Sequence, residues 1–199
     1  LTRDHIFLKS NIDIDIKGLK LDSLFGRAQL SQSHIEFNNQ AMNIDNVLIR
    51  SSLDDSIRNL SLHSSFADAS LTGAFYLSSL FSDLQKLSKE FNLNLRNNKE
   101  ELSAYYSKKR KTSQEYQVNF FIDLKDINPL LNLVNLPLAL SEESRIEGSF
   151  SNGFTSRLQA LSRIDTVTYN GKHFFDNEIE FSGSKIRDSS RVLAVLSLE

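Results

Sequence analysis

Along most of this chain apolar and polar residues alternate one for one. "NIDIDIK", Asn11 to Lys17, shows the pattern: Ile12, Ile14 and Ile16 on one side, Asp13, Asp15 and Lys17 on the other. A strand turns successive side chains to opposite faces, so such a segment is dry on one face and wet on the other. The same period of two recurs in "SHIEFN", "NVLIRS", "RNLSLHS", "ASLTGAFYL", "YQVNFFIDLK", "SRIEGSF", "TSRLQALS", "DTVTYN", "NEIEFSG" and "RVLAVLSLE". Between these runs lie turn clusters: Asn38-Asn39, Asp54-Asp55-Ser56, Asn152-Gly153, Asn170-Gly171 and Asp188-Ser189-Ser190. Connections this short exclude the crossovers that parallel strands need, so the pattern predicts an antiparallel meander. With only 7 glycines and 2 prolines, the turns must rely on Asn, Asp and Ser chemistry.

One region changes period. Leu77, Leu80, Phe81, Leu84, Leu87 and Phe91 are spaced as on a helix, with Ser79 placed to cap its start. A second helix is expected through "KEELSAYYSKKRK", whose acids come early and bases late, as the helix dipole favours. A further turn or two is expected at Asp126 to Val134, with Pro129 in the first turn. The reading is mainly β: a first strand segment over 1–77, a helical insertion over 78–112 packing on the sheet through Leu80, Phe81, Leu84, Leu87 and Phe91, and a second strand segment over 113–199.

The chain also repeats itself loosely. The segment starting at Ile35 can be laid on that starting at Val167, so that Phe37 meets Tyr169, Asn38 meets Asn170, Val47 meets Ile179, Ile49 meets Phe181 and Leu60 meets Val192.

Composition narrows the chemistry. The 199 residues carry a net charge of -2, and the one basic run, Lys108 to Lys111, reads as a solvated helix end, so nothing points to nucleic acid. The absence of cysteine removes disulfides, thiolate catalysis and thiolate metal sites together. His5, His34, His63 and His173 each stand alone, with no metal-pair spacing, and there is no phosphate loop or nucleophile elbow. Asp13 and Asp15 share a face, but the alternation accounts for them as the wet side of a strand. No catalytic residues, metal site or cofactor are expected, and the chain reads as a non-enzyme. No apolar run reaches a membrane span and the chain begins at Leu1 with no charged-then-apolar leader; the missing Met start suggests a mature protein or a segment cut from a longer chain.

"IDNVLI" (Ile44 to Ile49), "FFDNEIEF" (Phe174 to Phe181), "FIDLKDINPLL" (Phe121 to Leu131), "GLKLDSLFGRAQLSQSHIEF" and "NLNLRNNKEELSAYYSKK", taken in that setting, resemble the TamB branch of the AsmA-like envelope proteins, in the form found in Bacteroidota. The resemblance spans most of the chain and rests on the order of its motifs. It implies an internal segment of an elongated, periplasm-spanning protein, anchored in the inner membrane through sequence absent here. Its sheet would be curled into an open trough, a β-taco with an apolar inside. About twelve strands at roughly 4.8 Å would give on the order of 55 Å of trough, with open edges at both ends.

What the resemblance implies for function is phospholipid transport between the inner and outer membranes of a Gram-negative cell. Acyl chains would run along a groove lined by Ile12, Ile14, Ile16, Ile35, Phe37, Val47, Ile49, Leu60, Leu62, Val118, Phe120, Ile122, Val167, Tyr169, Ile179 and Phe181. Its further partner would be an outer-membrane barrel of the TamA or BamA type, and membrane contact would come from parts outside this segment. Two other readings stay open on the residues alone. The sheet edges could pair with strands of nascent outer-membrane proteins, or the dry face could be closed within a sandwich or scaffold domain.

Overall fold

The computed structural model describes residues 6–18, 20–38, 40–96, 99–107, 114–187 and 189–199; the Lys108 to Lys111 run and His5 lie outside them. The elements are, in chain order, β1 (Ile6–Lys17), a 3-10 turn (Leu21–Ser23), β2 (Phe25–Phe37), β3 (Gln40–Asp54), β4 (Ile57–Ser64), β5 (Ala67–Gly73), α1 (Leu77–Arg96) and α2 (Lys99–Tyr106). There follow β6 (Tyr116–Leu124), α3 (Asn128–Leu133), β7 (Leu138–Leu140), β8 (Ser144–Asn152), β9 (Thr155–Tyr169), β10 (Lys172–Ile186) and β11 (Leu193–Leu198). Every strand pairing is antiparallel. One 11-stranded sheet runs in the order β1-β2-β3-β4-β5-β6-β8-β9-β10-β11, with β7 beside β8 along the same edge of β9.

The helical insertion does not divide the sheet. β5 pairs directly with β6, from Ala67↔Leu124 to Gly73↔Val118, so the two expected strand segments form one surface and α1 and α2 loop out between neighbouring strands. Pairing carries the dry face across the whole molecule. One row reads Ile16, Gly26, Ser51, Leu60, Leu71, Phe120, Gly148, Ala160, Phe181, Leu196; the next reads Ile14, Ala28, Ile49, Leu62, Ala69, Ile122, Ile146, Ser162, Ile179, Leu198. Directly paired residues share a face, so both rows lie on the inner side.

That side is concave. α3 packs against both β3 and β7, which a flat sheet would hold roughly 19 Å apart across four strand spacings. α3 bridges the two beyond the end of β4, where β3 runs on from Val47 to Gln40 past the last pair, Val47↔Ser64. Curling crowds the inner face, and small residues concentrate there: Gly26, Gly73, Gly148 and Gly183 are four of the 7 glycines, and a Cβ at Gly148 would lie 2.5 Å from Phe120 Cζ and 2.1 Å from the Gln159 carbonyl oxygen.

α1, about 30 Å long, lies across the strands. Its Leu77, Leu80 and Leu87 form the main buried cluster with Phe75, Tyr116, Val118 and Phe150, joined by half-buried Leu60, Leu71, Leu84 and Leu158. Leu84 and Phe91 are half-buried, and the Phe91 ring stands edge-on to Phe181 at 6.0 Å. The expected packing face is therefore present in four of its five residues. Phe81 is the exception at 57% exposure, because one step of 100° from Leu80 carries it to the flank of the helix. Ser79 is not the cap either. The helix begins two residues earlier, Leu80 donates to the Tyr76 carbonyl, and the capping carboxylate comes from Asp22, far off in sequence. The expected turn at Asp126 to Val134 is α3, with Pro129 in its first turn.

The two halves of the internal repeat are hairpins of the same build. β2 and β3 close at Phe37↔Gln40 and β9 and β10 at Tyr169↔Lys172, each around two residues, and both registers continue without slippage. Asn38, Asn170 and Gly171 have φ of 46°, 49° and 74°, the left-handed values that tight hairpin turns need and Asn and Gly supply.

Candidate functional site

The described residues hold no group of three His, Asp or Glu side chains able to bind a metal, and no described helix is long and apolar enough to cross a membrane. The described histidines are engaged on the outer face or at hairpin ends. His34 bonds to Asn43 (2.8 Å) and Glu36 (3.0 Å), which raise its pKa; His63 meets Asp68 at 3.5 Å and His173 meets Thr168 at 2.9 Å. Lys125 at 2.8 Å, with smaller help from His63, holds the Asp68 carboxyl below the usual range. These are ordinary wet-face contacts.

The inner face is divided. Along β1 and the stretches of β2 and β3 beside Ile12 to Ile16 it is open: Ile12 and Ile14 are each 60% exposed and Ile16 38%, beside half-buried Ala28, Leu30, Val47 and Ile49, whereas nearer the β2–β3 turn Ser33 and Ile44 are buried and α3 packs against β3. Farther along, α1 covers it. At the boundary lies a cleft of about 240 Å³, floored by Ile16, Ala28, Ile49 and Leu60 of the sheet and walled by Leu24, Phe25, Leu77 and Phe81. Counted in water-sized groups of about 30 Å³, it has room for roughly eight.

Of the groove candidates, Ile12, Ile14, Ile16, Val47, Ile49, Leu60, Leu62, Phe120, Ile122, Ile179 and Phe181 all lie on the inner face. Ile35 and Phe37 reach it by a device. Strict alternation from Leu30 would turn them outward, but β2 holds one more residue than β1 between Ser31 and His34, and Gln32 takes φ of 50°. This bulge re-phases the strand, so Ile35 and Phe37 pair with Leu8 and Ile6 on the face of Ile12 and Ile14. Val167 and Tyr169 lie past a second irregularity, at Asp176 (φ 53°), where they pair with Phe174 and Lys172 on one side and Leu140 and Leu138 on the other. Val118 is a correction. It is 1% exposed beneath α1, inside the protein core and not in an accessible groove.

No family model matches the chain, and no curated protein or solved structure matches it.

Five polar residues that the sequence reading did not single out shape this site. Arg58 is 2% exposed on the dry face and donates to the Leu24 and Asp22 carbonyls and to Ser51, with its guanidinium 5.2 Å from the Phe25 ring centre. It thereby fixes the wall of the cleft. Asp22, in the same turn, accepts from the Ser78 amide (2.9 Å) and hydroxyl at the start of α1. Burial raises the Asp22 pKa, but the Ser78 bonds and Arg58 outweigh it and hold the carboxyl below its usual value. Under the helix, Asp83 accepts from Tyr116 Oη and Asn152 Nδ2, both at 3.0 Å, and Glu90 meets Lys185 at 3.2 Å with both side chains buried. Burial, with the Asp83 charge beside it, pushes the Tyr116 hydroxyl well above its ordinary pKa.

Most of these were visible as misfits. Asp83 and Glu90 fall three and ten residues after Leu80, on the apolar stripe itself, and Arg58 alternates in phase with Leu60 and Leu62. Lys185 is in phase with Phe181 and Gly183 on the inner face.

Proposed function

We propose that this chain is a non-enzymatic lipid-conducting segment of a TamB-like, AsmA-like envelope protein, working in the periplasm, where its groove takes phospholipid acyl chains while headgroups stay in water. The observation that carries the reading is the open dry face of β1, with Ile12 and Ile14 each 60% exposed and an apolar cleft at its end. An accessible surface of 13673 Å², against about 9500 Å² for a compact monomer of this mass, fits a sheet left open. The sequence resemblance supplies the compartment and the cargo.

The energetics suit transit. Each methylene laid on the groove gains at most about 0.8 kcal/mol, so eight gain roughly 6 kcal/mol, close to the freedom lost on binding. Contact of that strength is exchanged, not stored. Photo-crosslinking side chains at Ile14 and, as control, at Asp13 on the opposite face test this in cells: phospholipid captured from Ile14 alone is the expected result, and equal capture from both faces, or none, defeats it.

A second reading, assembly of outer-membrane proteins by strand pairing, is favoured by the edges. Among the described residues β1 and β11 end the sheet, each with one unpaired side, and Ile6, Leu8, Leu193 and Leu198 on them are 50 to 71% exposed. Crosslinks from β1 to a client strand, with no lipid at Ile14, would select it over the conduit.

A further inference from the structure

We infer that α1 is a displaceable lid, lying on the part of the dry face along which the groove continues. The inference rests on the conduit reading and adds its regulation. Leu60 and Leu77 belong at once to the open cleft and to the cluster beneath α1, so the cleft is the mouth of the covered surface. Lifting the helix would join Leu71, Val118, Phe150 and Phe181 to Ile16, Ala28 and Ile49 without a break.

The way α1 is held argues for release. Of the five buried positions of α1, Leu77, Leu80, Asp83, Leu87 and Glu90, two are acids where a permanently seated helix would gain more from apolar side chains. A buried ion pair is often no better than well-packed apolar residues of similar volume, because both charges must be stripped of water. Asp83 and Glu90 therefore fix where α1 docks more than how tightly. Off the sheet they return to water and the helix stays amphipathic. Besides the apolar cluster of Leu77, Leu80 and Leu87, the remaining anchor is Asp22 on Ser78, a solvent-exposed contact in the first turn of the helix.

Hydrogen exchange read by mass spectrometry on the whole chain, together with binding of the fluorescent fatty acid cis-parinaric acid, tests the lid. In the wild type, amides of 77–96 are expected to exchange at least tenfold faster than those of β6 and β8. Glu90→Leu with Lys185→Met should slow α1 exchange toward that of the sheet and reduce probe uptake. Asp22→Ala with Ser78→Ala should do the opposite on both counts, leaving β6 and β8 unchanged. Wild-type α1 exchanging no faster than the sheet, or probe uptake that is measurable but identical in all three proteins, overturns the lid. A lid that opens as expected over a face binding no probe in any variant fails the conduit reading alone.

Discussion

Asp22, in the turn between the first two strands, caps a helix that begins at Leu77: its carboxylate accepts the Ser78 amide at 2.9 Å and the Ser78 hydroxyl as well. A residue 56 positions away thus does what a neighbouring Ser or Asp usually does, and it ties the wall of the cleft to the helix over the sheet.

This contact makes the seating of α1 acid-sensitive. A carboxyl held below its unfolded value contributes stability that is complete above the ordinary pKa of 3.8 and is lost as pH falls through the lower folded value. The start of α1 should gain hydrogen exchange below about pH 4 before the sheet does. In Asp22→Asn, whose side-chain oxygen can still accept the Ser78 amide, that step should be missing, and Asp22→Ala should lose about 1 kcal/mol of capping already at neutral pH. An identical acid profile in the wild type and Asp22→Asn would count against the cap.

Stability and ligand contact should separate between two leucine-like positions. Leu80→Ala, at 2% exposure, should cost about 2 to 5 kcal/mol in urea denaturation. Ile14→Ala, at 60% exposure, should change stability by no more than about 0.5 kcal/mol while weakening fatty-acid binding. A large loss of stability at Ile14 would mean that the groove is closed.

Arg58 is expected to be structural. Arg58→Met keeps an apolar stem but strands the Leu24 and Asp22 carbonyls, and charged hydrogen bonds of this kind make a loss of about 3 kcal/mol the expected result. Thermal melting near that of the wild type would show that the turn has other support.

Gly148→Val should disturb the curl. The added carbons meet Phe120 and the backbone of β9, so overpacking is expected to cost about 1 to 3 kcal/mol and to shift the Phe120 ring. A neutral effect in calorimetry, with unchanged aromatic NMR signals, would argue that the inner face has slack.

Alternation made the strands and their dry face readable, and Asn38 and Asn170 announced their hairpins. Three features were less so. The bulge at Gln32 has no sequence marker: a strand that loses phase shows only apolar residues at odd positions where even ones were due, as Ile35 and Phe37 do after Leu30. The cap at Asp22 is a tertiary contact, invisible to any reading confined to the residues beside Ser78. Alternation puts Val118 on the inner face but gives no sign that α1 covers it, because alternation reports the side a residue takes and not which neighbour lies over it. Asp83 and Glu90 are readable in the sequence, as acids on an otherwise apolar stripe.

The main path of the sheet counts ten strands, every neighbour antiparallel. An even count means that β1 and β11 point in opposite directions. A second such unit set edge to edge, its β1 against this β11, would continue the antiparallel ladder with both dry faces on the same side; an odd count would force a parallel seam or turn one face over. Strand parity therefore removes one obstacle to tiling this unit, the parallel seam.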